Sequence, residues 1–342
     1  RRQRQMCIRD RLLIEGDDGY RVYVNGEKVI DYWGEHASAK REYTLKAIAG
    51  TDYKIRIEYM QAGAEALLRF DLGVYRHISP EMVVDRVKEA DIVIFAGGIS
   101  PSLEGEEMYS VNSPGFAGGD RTSIELPQVQ RDILKALKKA GKKVVFVNCS
   151  GSAVALVPEM ESCDAILQAW YPGQAGGLAV ADVLFGDFNP SGKLPVTFYK
   201  NTDQLPDFED YSMKNRTYRY MTEVPLFPFG YGLSYTTFDI SKGRLNKKTI
   251  SAGQGLNFKV NVKNTGKYDG AEVIQVYVRK VDDTEGPIKS LRAFRRVPLK
   301  AGETCVVSID LLPTTFEFFD PTTNTMRIMP GKYEIMYGNS SD

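Results

Sequence analysis

The sequence has few groups suited to chemistry other than carboxylates. Its 342 residues include only two histidines, His36 and His77. A histidine-dependent triad or a zinc site would have to be built on one of them. His36 lies in the polar stretch YWGEHASAK and His77 in GVYRHISPEM, and both read as solvated loop positions. Charge of one sign is also lacking. The 44 Lys and Arg balance 44 Asp and Glu, so no net field favours nucleic acid or an anionic membrane surface. No run of about 18 apolar residues occurs, which excludes a membrane-spanning helix. The cysteines, Cys7, Cys149, Cys163 and Cys305, are scattered without metal-ligand spacing or a disulfide framework, and they leave the redox compartment open. The first residues, RRQRQMCIRDR, have no initiating Met, no apolar signal core and no strand pattern. We read them as the start of a chain that begins inside a longer protein, its first ten or so residues not native. A missing signal peptide then says nothing about export.

Three segments are present. Residues 12–72 alternate in the β manner, and YRVYVNGEKVIDYW is a hairpin with Asn25-Gly26 at its turn. Residues 80–236 change to strand–helix–strand spacing. EMVVDRVKEA is helical, DIVIFAGG and KKVVFVNCS are apolar strands, LPQVQRDILKALKKAG is an amphipathic helix with Gly141 at its end, and QAGGLAVADVLFG is another helix. Continuous apolar strands of this kind predict a parallel sheet buried on both faces. Residues 237–342 alternate again in strands punctuated by Gly and Asn, which predicts a β-sandwich. The expected fold is therefore α/β plus all-β. A central parallel-sheet α/β sandwich is flanked by a partial N-terminal β-barrel and a C-terminal β-sandwich, with no low-complexity linker between them.

Ligands in open parallel sheets bind outside the carboxyl ends of the strands. Two such ends are GGISPSLEGEEM and CSGSAVALVPE. The first lacks G-x-G-x-x-G spacing and leads into acid, which repels pyrophosphate. The second lacks G-x-S-x-G, and Cys149 has no evident histidine partner. A cation site from Glu104, Glu106, Glu107 and Asp120 fits no EF-hand pattern, so no metal is expected. On the residues alone, LEGEEM reads equally as a solvated acidic loop or as an acid held for chemistry such as glycoside hydrolysis, which needs one protonated and one ionised carboxyl group. Trp170 and Tyr171 read as packing or as a sugar platform. Asp17-Asp18-Gly19 reads as turn chemistry, and Trp33 with His36 as a loop over a site.

FAGGISPSLEGEEM…GGDRTSIELPQVQRDILKAL, KVVFVNCSGSAVAL, ILQAWYPGQAGGLAVADVLFGDFNPSGKLPVTF, YRYM and PLFPFGYGLSYTTF occur in family order and resemble the C-terminal α/β domain of glycoside hydrolase family 3. VKNTGKYDGAEVIQVYV and LRAFRRVPLKAGE resemble its fibronectin type III-like domain. GDDGYRVYVNGEKVIDYWGEH resembles the protective-antigen-like β-barrel inserted in some members.

The resemblance implies an exo-acting retaining β-glucosidase or β-xylosidase, with the longer ISPSLEGEEM…GGDR loop and RTYRYM leaning toward the xylosidase-like branch. It implies that the nucleophilic Asp lies on an N-terminal (β/α)₈ barrel that nothing in this chain resembles. The α/β domain then supplies the acid/base. Aligning the strand end gives Glu106 that place, with Glu104 as its rival, and matches Asp120 and Arg121 to the family's D-R pair, bracing the loop or bordering the pocket. In an extended loop Glu104 and Glu106 would share a side. No cofactor is expected. The partners implied are an oligosaccharide or aryl β-glycoside and the barrel domain of the same full-length protein, with no nucleic acid and no membrane. The location implied is periplasmic or extracellular. By this reading the chain alone is inactive. The alternative is a non-catalytic carbohydrate-binding or scaffolding module.

Overall fold

The computed structural model describes residues 9–48, 50–63, 66–75, 78–104 and 114–342. Glu106, Glu107 and His77 lie outside the described residues. The chain divides into two units, Arg1–Ser79 and Pro80–Asp342.

The first unit contains β1 (Arg9–Gly16), β2 (Tyr20–Val24), β3 (Glu27–Tyr32), β4 (Ala39–Leu45), β5 (Ile55–Tyr59) and β6 (Leu68–Tyr75). They form two antiparallel sheets, β4-β1-β6 and β3-β2-β5, and neither closes into a barrel among the described residues. Tyr20, Val22 and Val24 point inward along β2, where they share a core with Leu12, Ile14, Ile30 and Leu45. Each fully buried Leu or Ile stabilises the unit by about 1.5–3 kcal/mol. The predicted hairpin is present. Val24 faces Glu27, and Asn25 (φ 50°) and Gly26 (φ 91°) make the left-handed pair that matches strand twist.

The second unit begins with α1 (Pro80–Arg86), β7 (Ile92–Gly98), β8 (Phe116–Ala117), β9 (Asp120–Arg121), α2 (Gln128–Lys139) and β10 (Lys143–Cys149). It continues with α3 (Val157–Ser162), β11 (Ala165–Gln168), α4 (Gly176–Phe185) and α5 (Thr217–Tyr220). The sheet β11-β10-β7 is parallel throughout, as expected. Helix α2 buries Leu134 and Leu137 against it and ends at Gly141, whose φ of 75° only glycine adopts readily.

One expectation fails here. Among the described residues DIVIFAGG is covered on one face only: Val93 and Phe95 pack on the core, while Ile92 and Ile94 are 56% and 52% exposed. The apolar run is the same whether one face or two are covered, so it could not separate the cases. Helix α3, entered through Pro158, also went unrecognised in CSGSAVALVPE.

The remaining strands are β12 (Phe238–Leu245), β13 (Leu256–Asn264), β14 (Gly270–Lys280), β15 (Ser290–Leu299), β16 (Thr304–Leu311), β17 (Glu317–Asp320), β18 (Thr325–Ile328) and β19 (Tyr333–Gly338). The sheets β12-β13-β16 and β15-β14-β19 contribute to one apolar core, including Val260, Val262, Ile274, Val276, Val307 and Ile309. The opposite face of β14 is also buried. Gln275 donates to the carbonyls of Gly230 (3.1 Å) and Asn339 (2.7 Å), and Tyr277 meets Tyr218 edge-on at 5.8 Å. These contacts place the C-terminal strands and the α/β segment in one unit.

Candidate active site

The carboxyl ends of β7 and β10 lie side by side, Gly98 opposite Cys149, and the pairing continues as Ile99 N–H donates to the Cys149 carbonyl at 2.9 Å. Gly98 sits at φ 125°, and a Cβ there would lie 1.9 Å from the Cys149 carbonyl oxygen. Only glycine fits at this crossing. Gln130 in the first turn of α2 grips the same residue, accepting from Gly98 N–H at 2.8 Å and donating to Gly98 O at 2.6 Å. From the far side Tyr171 donates its hydroxyl to Ile99 O at 2.8 Å, with its ring over Gly151. The strand end is thus fixed before the acidic loop begins.

The loop does not leave β7 extended. Leu103 N–H and Glu104 N–H both donate to Ser100 O, at 2.9 and 3.2 Å, so the chain turns through residues 100–104. The expected alternation of Glu104 and Glu106 runs into residues outside those described. Glu104 itself faces inward. Arg121 Nη1 lies 3.5 Å from Glu104 Oε1, and Ser152 Oγ donates to the same oxygen at 3.5 Å.

Arg121 is the centre of this brace. It is carried by the β8–β9 hairpin, whose turn is Gly118 (φ 61°) and Gly119 (φ 93°). Its guanidinium donates to Ser152 Oγ (2.6 Å), Ala153 O (3.3 Å) and Ser123 O (3.3 Å). A planar fork with five donors suits such a multipoint clamp, which a lysine could not reproduce. Arg121 therefore ties both flanks of segment 105–113 to the end of β10. Asp120, on the same hairpin, is exposed.

A second layer supports the first. Ala155 N–H donates to Ile124 O (2.8 Å), and Ile124 N–H to Thr202 Oγ1 (3.1 Å). Burial pushes the Glu125 carboxyl up. Bonds from the Ser123 hydroxyl, the Thr202 hydroxyl and the Thr202 amide outweigh that and bring it down to about 2. Glu159 goes the other way. Burial raises its carboxyl above the usual range, opposed by Arg131 at 3.3 Å, and its Oε2 has no partner among the described residues.

The other sequence candidates fall largely to packing. Trp170 (φ 56°) packs edge-on against Phe198 at 6.0 Å, whereas Tyr171 stays 46% exposed beside the strand ends. Asp18 is the buried acceptor of a turn, taking N–H bonds from Ala62 (2.7 Å), Gly63 (3.2 Å) and His36 (3.2 Å). The Ala62 amide is the largest of the influences that lower its carboxyl. His36 is not simply solvated, because its ring packs 4.1 Å from that of Tyr32. Trp33 lies under the Arg21 guanidinium at 4.2 Å. Cys163 is buried, its thiol pushed up to about 12. Sequence reasoning missed Gln130 and Ser152, since neither type, position nor periodicity marks them.

Models of known families match along this chain: the glycosyl hydrolase family 3 C-terminal domain over residues 19–235 and a fibronectin type III-like domain over residues 272–341. The chain belongs to glycosyl hydrolase family 3. It is 54% identical over 331 residues to the "Xylan 1,4-beta-xylosidase" of Xylanibacter ruminicola, covering 96% of this chain and 38% of that protein. It is 38% identical over 280 residues to the "Periplasmic beta-glucosidase" of Salmonella typhimurium, covering 77% of this chain and 35% of that protein. The crystal structure of β-glucosidase from Kluyveromyces marxianus in complex with glucose is similar with a TM-score of 0.77 at 28% identity, over 99% of this chain and 42% of that one. The family 3 chain thus spans little more than a third of the length of these curated relatives. Among its described residues no helix is long and apolar enough to cross a membrane.

Proposed function

We propose that this chain is the C-terminal portion of an exo-acting, retaining β-glycosidase that removes terminal β-linked xylose or glucose, and that Glu106 is its general acid/base. The observation that carries the reading is the brace at the end of β7. Arg121 and Ser152 both engage Glu104, so the carboxylate before the loop is occupied in holding it. Glu106 is the carboxylate that the resemblance aligns with the family's acid/base place, and we assign it the leaving oxygen. The nucleophilic Asp belongs to a (β/α)₈ barrel of the same longer polypeptide, with its carboxyl group about 5–5.5 Å from the acid as retention requires. Glu106 protonates the departing oxygen, then deprotonates the water that releases the sugar. No cofactor enters.

In this reading residues 12–72 are a partial protective-antigen-like barrel, 80–236 the α/β sandwich and 237–342 a fibronectin type III-like β-sandwich. Asp120 and Tyr171 border the pocket. The name and the 54% identity of the Xylanibacter ruminicola relative favour xylosides. The Salmonella relative's name favours a periplasmic or extracellular location.

The test is an assay on 4-nitrophenyl β-xyloside and β-glucoside of the 342-residue chain beside the longer polypeptide that includes an upstream barrel. The longer protein should turn over with retention and the chain alone should not. Robust hydrolysis by the chain alone would refute the division of roles.

A further inference from the structure

Among the described residues β7 is an edge of the sheet β11-β10-β7, paired residue for residue with Lys143–Cys149. Ile99 N–H donates to the Cys149 carbonyl. By the alternation of a parallel ladder, Val93, Phe95 and Gly97 then bond to β10, while Ile92, Ile94, Ala96 and Gly98 turn their amides and carbonyls to the open edge. Of these four, only Gly98 has both groups engaged among the described residues. The Gln130 carboxamide accepts from its N–H at 2.8 Å and donates to its carbonyl at 2.6 Å, the two bonds a neighbouring strand would make. Natural edges are guarded by charge, proline or a bulge. IVIFAGG has neither charge nor proline, and its register with β10 is unbroken. The face beside this edge is bare as well. Ile92, Ile94 and Ala96 are exposed, with Ile94 and Ala96 in register with Val145 and Val147 of β10. Val84 of α1 and Leu134 and Leu137 of α2 share their core with Val93 and Phe95, on the opposite face.

We propose that β7 is a docking edge for polypeptide that precedes this chain in the longer protein: one strand adds parallel to β7 along Ile92–Ala96, and its flanking helix covers Ile92 and Ile94. The order of the sheet selects a parallel strand, since all-parallel sheets carry helices on both faces and this one is bare on one side of β7. A second copy of the chain, related by a two-fold axis, would set β7 antiparallel to itself. The matched family model is that of a C-terminal domain, and the chain spans only 38% and 35% of its curated relatives, so the occupant comes from ahead of it. Gln130 marks where the added strand stops, because it already holds the edge groups of Gly98. The carboxyl end of that strand therefore comes beside Gly98, and the loop after it flanks segment 105–113 on the side away from β10. This inference rests on the chain being the C-terminal portion of a longer protein, and not on which carboxylate is the acid.

The test compares the 342-residue chain with the longer polypeptide by amide hydrogen exchange, and by maleimide modification of Ile94→Cys read on its own peptide by mass spectrometry. In the longer protein the amides of Ile94 and Ala96 should exchange at least about 100-fold more slowly than in the chain, while those of Val93 and Phe95, already bonded to β10, should change far less. Ile94→Cys should react readily in the chain and at least about 100-fold more slowly in the longer protein. Exchange needs no substitution, so a misfolded variant leaves the test intact. The proposal is overturned if Ile94 and Ala96 exchange equally fast in both proteins, or if Ile94→Cys reacts equally fast in both. It is equally overturned if the chain alone gains the same protection as its concentration rises, which makes a second copy the occupant. Neither readout uses hydrolysis. A longer protein that is inactive with β7 protected supports the docking and refutes the assigned chemistry, and an active one with β7 open does the reverse.

Discussion

The acidic turn of the first unit and the acidic turn at the end of β7 look alike in sequence and differ in what surrounds them. In EGDDGY, Asp18 is 6% exposed and meets three backbone amides, so both its oxygens are spent on closing a turn. At SPSLEG, Glu104 meets a guanidinium and a hydroxyl from two other segments, and the acidic run continues beyond it. Backbone amides cannot move without the fold. Arg121 and Ser152 are side chains that position one loop against a strand end. The comparison teaches that a cluster of carboxylates carries no role of its own, because the donors around each one assign it.

The same contrast applies to the glycines of the two regions, where the largest effect is expected. Gly98→Ala puts a methyl group 1.9 Å from the Cys149 carbonyl oxygen and should cost more than about 3 kcal/mol, or prevent folding of the second unit. Gly26→Ala, at φ 91° with open space around it, should cost only about 1–2 kcal/mol. Urea melts of both variants measure the difference, and equal losses would break the comparison.

A smaller effect is expected at the donors and acceptors themselves. Arg121→Met should cost about 2–4 kcal/mol, since Ala153 O, Ser152 and Glu104 lose their partner, and Arg121→Lys should recover little of it. Hydrogen exchange should then rise around residues 100–104 and 150–155 and stay unchanged in residues 9–75. Asp18→Asn should show the reverse, with faster exchange at Ala62, Gly63 and His36. Exchange that spreads evenly through both units in either variant would contradict the assignment.

The smallest effect is in acid. Glu125 titrates at about 2 in the folded chain, below its ordinary value of 4.5, so its stabilisation is complete above about 4.5 and is lost as pH falls toward 2. The parent chain should therefore lose more of its urea midpoint between pH 5 and pH 3 than Glu125→Gln does. The raised Glu159 works in the opposite sense, its contribution falling as pH rises through its folded value, which makes Glu159→Gln the control. Parallel pH curves for the parent and Glu125→Gln would remove Glu125 from the brace.

Local chemistry was legible in the sequence where it determines its own geometry. Asn25-Gly26 dictates a two-residue hairpin, Leu134 and Leu137 fall on one face of α2, and the apolar strands with helical crossovers give a parallel sheet. What a surface meets was not legible. The run IVIF reads the same whether or not something covers Ile92 and Ile94. The turn at residues 100–104, in which two amides share the Ser100 carbonyl, did have a signal in Ser100-Pro101, which the extended-loop reading passed over. For Arg121 the sequence offers only the resemblance to a D-R pair, and its partners Ser152 and Ala153, distant in sequence, come from the fold.

The measurement that bears most directly on the central claim compares Glu106→Ala and Glu104→Ala in the longer enzyme, with and without azide. Glu106→Ala should lose about 10²–10⁴-fold in kcat on unactivated xylosides and far less on 4-nitrophenyl substrates, whose leaving group needs no proton. Azide should restore its turnover and yield a β-glycosyl azide, because a small anion can attack the covalent intermediate without base assistance. Glu104→Ala should show weaker activity on both substrate types alike, with no azide product, as expected for a residue that only holds the loop. Azide rescue in Glu104→Ala together with near-parental activity of Glu106→Ala on unactivated substrates would contradict the account and move the acid/base by two residues.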